Sequence, residues 1–574
     1  MTELLAAPLN PAWAILLAGL IIAALPWHHA RKAVMLLAPV VALFFWLKMS
    51  AFGSFDPVSI NSLGVALTTF RFDGLSRIWG LIFIIATFLN ALYALHERDR
   101  LQDTMSVLYG GAAMAAVFAG DLITLFIFWE MTALTSVFLI FRTGTAAARS
   151  AGLRYLIMHV GSGVLLLAGA VLLHAQTGSW AFEHIGLEAG LAGWLILIGF
   201  GIKAAFPLLH SWLQDAYPKA TITGAVVLSA FTTKMAIYAL ARGYAGTEIL
   251  IYIGVVMALF PVFFAVIEND LRRVLSFSIN NQLGFMVVGI GIGTTMGING
   301  AAAHAFADVL FKGLLFMSMG AVLLRTGTTK ASELGGLFRS MPITAFFCLI
   351  GAGSISAFPF MSAFVTKALI LAAVADEGHW IVWLMLVFAS AGVLEHAGIK
   401  IPYFSFFAHD SKRRVKEAPW NMLLAMGIAA FLSIFIGVNH RWLYALLPYP
   451  SDYQPYTLGH IVGQMQLLLA AIFAFALLMR IGWYPSEKRM TILDVDWFWR
   501  KPGKALAKWV YAITARLWQH AKHGKTRLFS NTSAMLSNML SPDGNISRTV
   551  PTGALAGWAV ALLALALLGA YMAG

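Results

Sequence analysis

Residues 201–219 read GIKAAFPLLHSWLQDAYPK. An apolar run here carries a lysine, Lys203, and then a proline, Pro207, where a helix would need a backbone N–H. A histidine, His210, follows. A helix broken at membrane depth survives only where it is buried in protein or lines a wet cavity. Residues 354–367, SISAFPFMSAFVTK, repeat the theme with Phe358–Pro359 and then Lys367. Two proline-interrupted apolar segments, each with a lysine, in the two halves of one chain read as a duplicated transporter architecture with sites at the midplane.

Outward from these stretches the chain is a ladder of apolar segments. Of 574 residues, 60% are hydrophobic and 11% charged. Soluble chains carry about 25% charge, so a soluble enzyme, a disordered tail and a nucleic-acid-binding domain are excluded. Spanning helices need about 20 apolar residues. Sixteen candidates run from 12–27 to 551–572, which predicts an all-α polytopic bundle of about 14–16 transmembrane helices. The N-terminus lacks the basic stretch of a cleaved signal peptide, so its first apolar run is expected to remain as a membrane helix.

The net charge of +13 is a topology signal. Seventeen basic residues fall in the odd-numbered gaps before the fifteenth, which is itself strongly basic, and five fall in the even-numbered gaps. The positive-inside rule places the odd gaps in the cytoplasm and both termini outside. Anionic lipid headgroups are the expected partner of this charge, and no nucleic acid is expected.

Five lysines lie inside the apolar segments: Lys203, Lys234, Lys312, Lys367 and Lys400. Glu130, Asp308 and Glu395 are buried acids by the same reading. Each such charge costs ~2.5–3.5 kcal/mol at the centre of a spanning helix, and its default meaning is an ion or proton pathway. Lys400, near a helix end, is equally well read as snorkelling to the interface. In HAFADVLFKGLLF (304–316), His304, Asp308 and Lys312 recur at every fourth position along one helix face. Base, acid and amine in a row suit a proton relay; a local Asp308–Lys312 ion pair beside a core histidine is the plainer alternative. Glu130, the one acid of its run after Asp121, needs a cation from a neighbouring helix, and Lys203 is the choice. Changing their separation would drive proton uptake and release. Lys234 is the next buried amine. His210, Glu395 and Lys400 are accessory candidates.

With these residues in view, the chain resembles the antiporter-like subunits shared by respiratory complex I, membrane-bound hydrogenases and Mrp-type sodium/proton antiporters. The resemblance runs from FRFDGLSRIWG (70–80) to FSFFAHD (404–410), through FWEMTAL (128–134), the Lys203–Trp212 segment, NDLRRVLSFSINNQLGFM (269–286) and the two stretches around 304–316 and 354–367. It implies two inverted five-helix repeats, each with a broken helix. It implies that Glu130 is the paired glutamate, Lys203 its partner and Lys234 the connecting lysine. His304 and Lys312 would then serve the second half-channel, and Lys367 would be the terminal lysine. Complex I members usually carry histidine where Asp308 stands; aspartate there, and the TTK motif ending at Lys234, are similar to the D-type component of Mrp antiporters.

Residues 494–529 are basic, aromatic and partly amphipathic, and resemble the lateral helix of the distal antiporter-like component of complex I; a membrane-surface helix fits equally. Pro542, Gly544 and the Ser/Asn content argue against one continuous helix over 503–548.

The expected organisation is N-terminal helices (1–100), a first repeat (101–245), a second repeat (246–410), further transmembrane helices (411–485), the amphipathic segment (486–550) and a closing anchor (551–574). The expected activity is proton translocation in exchange for Na⁺ or another monovalent cation, by a secondary transporter subunit rather than an enzyme. It would work beside other membrane subunits in a bacterial inner membrane. A proton-pumping arm of a complex I-like or hydrogenase-like redox complex, a membrane subunit for inorganic-carbon uptake, and a scaffold with merely paired charges are the rivals. With one cysteine, Cys348, and no GxxxxGK[ST] loop, neither a cofactor nor a metal is expected.

Overall fold

The computed structural model describes residues 9–52, 58–62, 65–485, 492, 494–540 and 557–563. It divides into two units, Met1–Asp494 and Val495–Gly574.

The first unit begins with α1 (Pro11–Ala24), α2 (His28–Phe52), an antiparallel hairpin of β1 (Val58–Ser62) and β2 (Val65–Phe70), and α3 (Gly74–Tyr93). The hairpin is an addition to the expected all-helical ladder. Asp73 and Ser76 cap α3 reciprocally: the Ser76 amide donates to Asp73 at 2.9 Å, and the Asp73 amide donates to Ser76 Oγ at 2.8 Å.

Next come α4 (Arg100–Val117), α5 (Leu122–Phe141), α6 (Ala146–Thr177), α7 (Leu191–Lys203), α8 (Ser211–Ala216), α9 (Ile222–Ala230) and α10 (Thr232–Gly243). The following stretch holds α11 (Ile249–Ile267), α12 (Leu271–Ile292), α13 (Thr295–Thr326), α14 (Pro342–Ile355), α15 (Ser362–Asp376) and α16 (Trp380–Val393). Helix α16 runs into π-helical turns at Leu394–Ile399 and Tyr403–Phe407. The unit closes with α17 (Trp420–Val438), α18 (His440–Tyr444) and α19 (Leu458–Arg480).

The duplication is visible in backbone detail. Asp121 caps α5 and Asp270 caps α12; Thr145 caps α6 and Thr294 caps α13; α6 and α13 each span 32 residues and end on a left-handed glycine, Gly178 and Gly327. Bridges tie Asp121 to Ala181 and Asp270 to Lys330. Each of these pairs is separated by 149 positions. Corresponding helices lie five spans apart in the ladder, an odd number, so they cross the bilayer in opposite directions.

The breaks match as well. Helix α7 ends at Lys203 and α8 starts at Ser211; α14 ends at Ile355 and α15 starts at Ser362. Ala205 and Leu208 in one, and Ala357 and Phe360 in the other, have φ between +59° and +69°. Four of the five described non-glycine residues with positive φ are therefore in the two breaks. Phe206 N–H reaches back to the Gly201 carbonyl at 2.9 Å, and Phe358 N–H to the Gly353 carbonyl at 3.1 Å. Each left-handed side-chain-bearing residue costs about 1–3 kcal/mol and persists only where its surroundings over-determine it.

Eleven described helices are long and apolar enough to cross a membrane. Their outer faces expose residues such as Phe44, Val164, Phe263, Ile381 and Phe473, as lipid contact requires. Helices α9 and α10 together, α12 and α13 are buried almost all round, and they carry Lys234, His304, Asp308 and Lys312. Close approach comes from small residues: a Cβ on Gly284 of α12 would collide with the Ala258 backbone of α11. Some basic gap residues are structural. Lys32 Nζ meets Asp103 at 2.6 Å with both side chains buried, and buried Arg272 donates to the carbonyls of Tyr217, Ala220 and Thr221 at 3.1–3.3 Å.

The second unit contains α20 (Asp496–Arg500) and α21 (Pro502–Leu540). Helix α21 runs 39 residues, about 58 Å at 1.5 Å per residue. Pro542 and Gly544 come after its last residue and fall outside the described residues. So does most of the anchor expected at 551–572, of which 557–563 is helical.

Candidate functional site

Glu130 and Lys203 are brought near each other without direct contact. Lys203, the last residue of α7, donates to the carbonyl of Trp129 and to Thr132 Oγ1, the latter at 2.9 Å, both on α5. Its ammonium lies 4.5 Å from the centre of the Trp129 ring, a cation–π contact. Glu130 Oε1 is buried without a hydrogen-bond partner. It occupies the space left by Gly163 of α6, where a Cβ would overlap it. The break after Lys203 lets this ammonium reach the α5 backbone, because helix geometry no longer holds the chain.

Lys234 of α10 meets Asp308 of α13 at 2.6 Å, with both side chains fully buried. The same ammonium donates to the Ser229 carbonyl at 2.9 Å, in the last turn of α9. Asp308 thus takes its cation from another helix; the local Asp308–Lys312 pair is not formed. Lys312 donates instead to Ser278 Oγ of α12 at 2.7 Å.

His304 joins three helices. Its Nε2 faces Gln282 Oε1 at 3.0 Å and its Nδ1 faces Thr366 Oγ1 at 2.9 Å. An amide oxygen only accepts, so Nε2 carries the proton in the neutral ring and Nδ1 accepts from the threonine hydroxyl. Thr366 is the neighbour of Lys367, whose ammonium donates to the Ile355 carbonyl at 3.0 Å and lies 5.0 Å from the Phe285 ring centre. The α15 lysine therefore reaches back across the second break to the last residue of α14. Lys234, Asp308, His304, Lys312 and Lys367 thus form one buried cluster packed among α10, α12, α13 and α15, with no accessible surface beyond 2% on any of them.

The accessory candidates lie elsewhere. His210 faces Asp494 at 2.9 Å and packs on Phe260. Lys400 donates to the carbonyls of Ala265, Val266 and Glu268 at 2.5–3.3 Å, capping the C-terminus of α11, with Glu395 within electrostatic range. A cation suits that helix end. Lys400→Met is therefore expected to lower the thermal unfolding midpoint in detergent, by about 1–3 kcal/mol in stability, while proton flux through the surviving folded protein stays near the wild-type level.

Ser278, Gln282, Thr366 and Thr132 carry no distinguishing mark in the sequence. Uncharged polar residues are common in such helices, and only the fold shows which ones face an ammonium or imidazole.

Known proteins can now be set beside this geometry. The family model described as NADH:quinone oxidoreductase/Mrp antiporter, TM, matches residues 119–392. The chain is 32% identical to the D-type component of a Na(+)/H(+) antiporter of Alkalihalophilus pseudofirmus, covering 56% of this chain and 69% of that protein. It is 28% identical to hydrogenase-4 component B of Escherichia coli, covering 65% of this chain and 63% of that protein's length. A chain of the membrane-bound sulfane sulfur reductase, an archaeal respiratory membrane complex, superposes with a TM-score of 0.72 at 23% identity, over 98% of this chain and 99% of that one. The matched span begins just before the cap of α5, ends within α16 and so contains both broken helices and every buried lysine of the apolar segments but Lys400. By that match and the likeness to the antiporter component, the chain belongs to the family of membrane subunits shared by NADH:quinone oxidoreductases and Mrp antiporters.

Proposed function

We propose that this integral membrane protein is the proton-translocating subunit of a monovalent cation/proton antiporter, with Na⁺ as the exchanged ion. One observation carries the reading. A chain of titratable groups from α10, α13 and α15 meets in the buried centre of the bundle, linked through Asp308–Lys234 at 2.6 Å and His304–Thr366 at 2.9 Å. Such groups are expensive in a membrane and mark proton relays. Glu130, Lys203 and Lys234 serve the first half, and His304, Asp308, Lys312 and Lys367 the second. An ammonium held by a carboxylate keeps its proton; withdraw the carboxylate and the buried amine releases it. Protons then pass through the His304 ring, which takes one up at one nitrogen and releases one from the other, while Gln282 and Thr366 orient it.

The chain works among other membrane subunits in a bacterial inner membrane, with its basic loops cytoplasmic against anionic lipid. A second reading, the proton-pumping arm of a redox complex, is favoured by the 39-residue helix α21 and the full-length likeness to the sulfane sulfur reductase chain. The test uses inside-out vesicles holding the whole complex and no redox substrate. Adding NaCl to vesicles with an acidic lumen is expected to collapse the pH gradient. Proton movement that ignores Na⁺ and appears only when electrons flow would transfer the chain to the second reading.

A further inference from the structure

Residue equivalence between the two halves exposes a group that the proton pathway leaves unused. The spacing of 149 positions that matches the caps, bridges and terminal glycines of α5–α6 to those of α12–α13 also matches backbone bonds beyond them. Leu122 N–H donates to the Trp180 carbonyl and Leu271 N–H to the Thr329 carbonyl, both at 2.9 Å. At the same spacing Tyr155 corresponds to His304, His159 to Asp308 and Gly163 to Lys312. Helix α6 therefore has its own row facing the bundle, read at the same three levels.

That row is chemically equipped. His159 is fully buried, and neither of its ring nitrogens has a hydrogen-bond partner. An imidazole sealed from solvent with both nitrogens unsatisfied is costly unless something transient satisfies them. Its ring is packed against Tyr155 and Trp212, with centroids 4.0 and 4.5 Å away. The Tyr155 hydroxyl bonds Ser136 Oγ at 2.7 Å, one turn along α5 from Thr132, which holds the Lys203 ammonium. Trp212, which the ring touches, donates its indole N–H at 2.9 Å to the carbonyl of Ile202, the neighbour of Lys203. Where Lys312 would stand, Gly163 leaves room for Glu130 Oε1. The first half thus sets hydroxyl, imidazole and carboxylate in the places where the second half sets imidazole, carboxylate and amine.

We infer that His159 is a proton-carrying residue of the first half-channel, accepting the proton that Lys203 gives up. In that step an N–H bond of the ammonium breaks and a ring N–H forms, leaving a neutral amine and an imidazolium. The carried proton leaves from the other ring nitrogen. The inference rests on the antiporter reading, and it adds a residue that the Glu130–Lys203 pair does not supply. A purely structural histidine, wedged between Tyr155 and Trp212 as an aromatic spacer, would be replaceable by phenylalanine.

The test compares His159→Phe, which keeps the aromatic packing, with His159→Gln, which keeps polarity but does not titrate. The whole complex is assayed in vesicles across pH, with the abundance of the chain measured in parallel. Tyr155, whose ring touches His159, and Lys203 and Glu130 of the same half are unchanged in both variants. The expected result is normal abundance, flux lowered about a hundredfold, and a pH profile that lacks one ionisation of the wild type. Flux within about twofold of wild type in either variant overturns the inference. So does a fall in flux with the wild-type pH profile, which would show that the ring only positions its neighbours. A wild-type complex with no cation-driven flux would instead remove the antiporter reading itself.

Discussion

Lys203→Ala is expected to stop proton flux and leave the folded protein in the membrane. The ammonium is the only described cation on the Trp129 carbonyl and Thr132 hydroxyl, so no other group takes its place as proton donor. General acid–base groups contribute about 10²–10⁴-fold, and flux is expected to fall by at least about a hundredfold. Stability falls less, because removing a buried charge also removes its desolvation cost. Lys203→Arg sharpens the result. Arginine keeps the charge and does not release its proton, so it is expected to be as inactive as alanine. Dye-reported pH-gradient collapse in vesicles, normalised to the abundance of the chain, is the measurement. Near-normal flux with arginine would show that the site needs charge alone and that Lys203 is no proton carrier.

The second large effect concerns Asp308. Asp308→Ala leaves the Lys234 ammonium buried and stripped of its 2.6 Å partner. Breaking one side of a buried pair costs about 3–5 kcal/mol, so the variant is expected to accumulate poorly and unfold at lower temperature in detergent. The double variant Asp308→Leu with Lys234→Met replaces both charges by apolar groups and is expected to recover most of that stability while remaining without flux. Recovery of stability without transport separates the role of the pair in proton movement from its role in packing. If the double variant transports protons normally, the link between the two halves does not pass through these residues.

Much of the bundle is legible along the chain because the bilayer imposes a length and a polarity on every spanning helix. The apolar segments anticipate the long helices between α1 and α19, and Pro207 and Pro359 mark both breaks, since a proline nitrogen has no hydrogen to bond the preceding turn, although Pro39 and Pro261 lie inside α2 and α11. Helix α21 reaches Leu540, two residues before Pro542. The buried lysines stand out because charge in an apolar run is rare. Their partners do not: Asp308 sits four residues from Lys312 and 74 from Lys234 in sequence, yet pairs with the latter. Lys400 is set apart in the sequence only by its place near a helix end, and α11 presents its terminal carbonyls to it.

By itself the sequence determined that this is a polytopic helical membrane protein and which charged side chains lie within its apolar segments. Those properties depend on composition over a helix length, and no other part of the chain is needed to evaluate them. Only the tertiary structure decided which amine meets which acid, that His304 bridges Gln282 and Thr366, and that His159 occupies the counterpart of Asp308. Hydrogen bonds and ion pairs act over about 3 Å, and such distances are set by how helices far apart in the chain pack against one another.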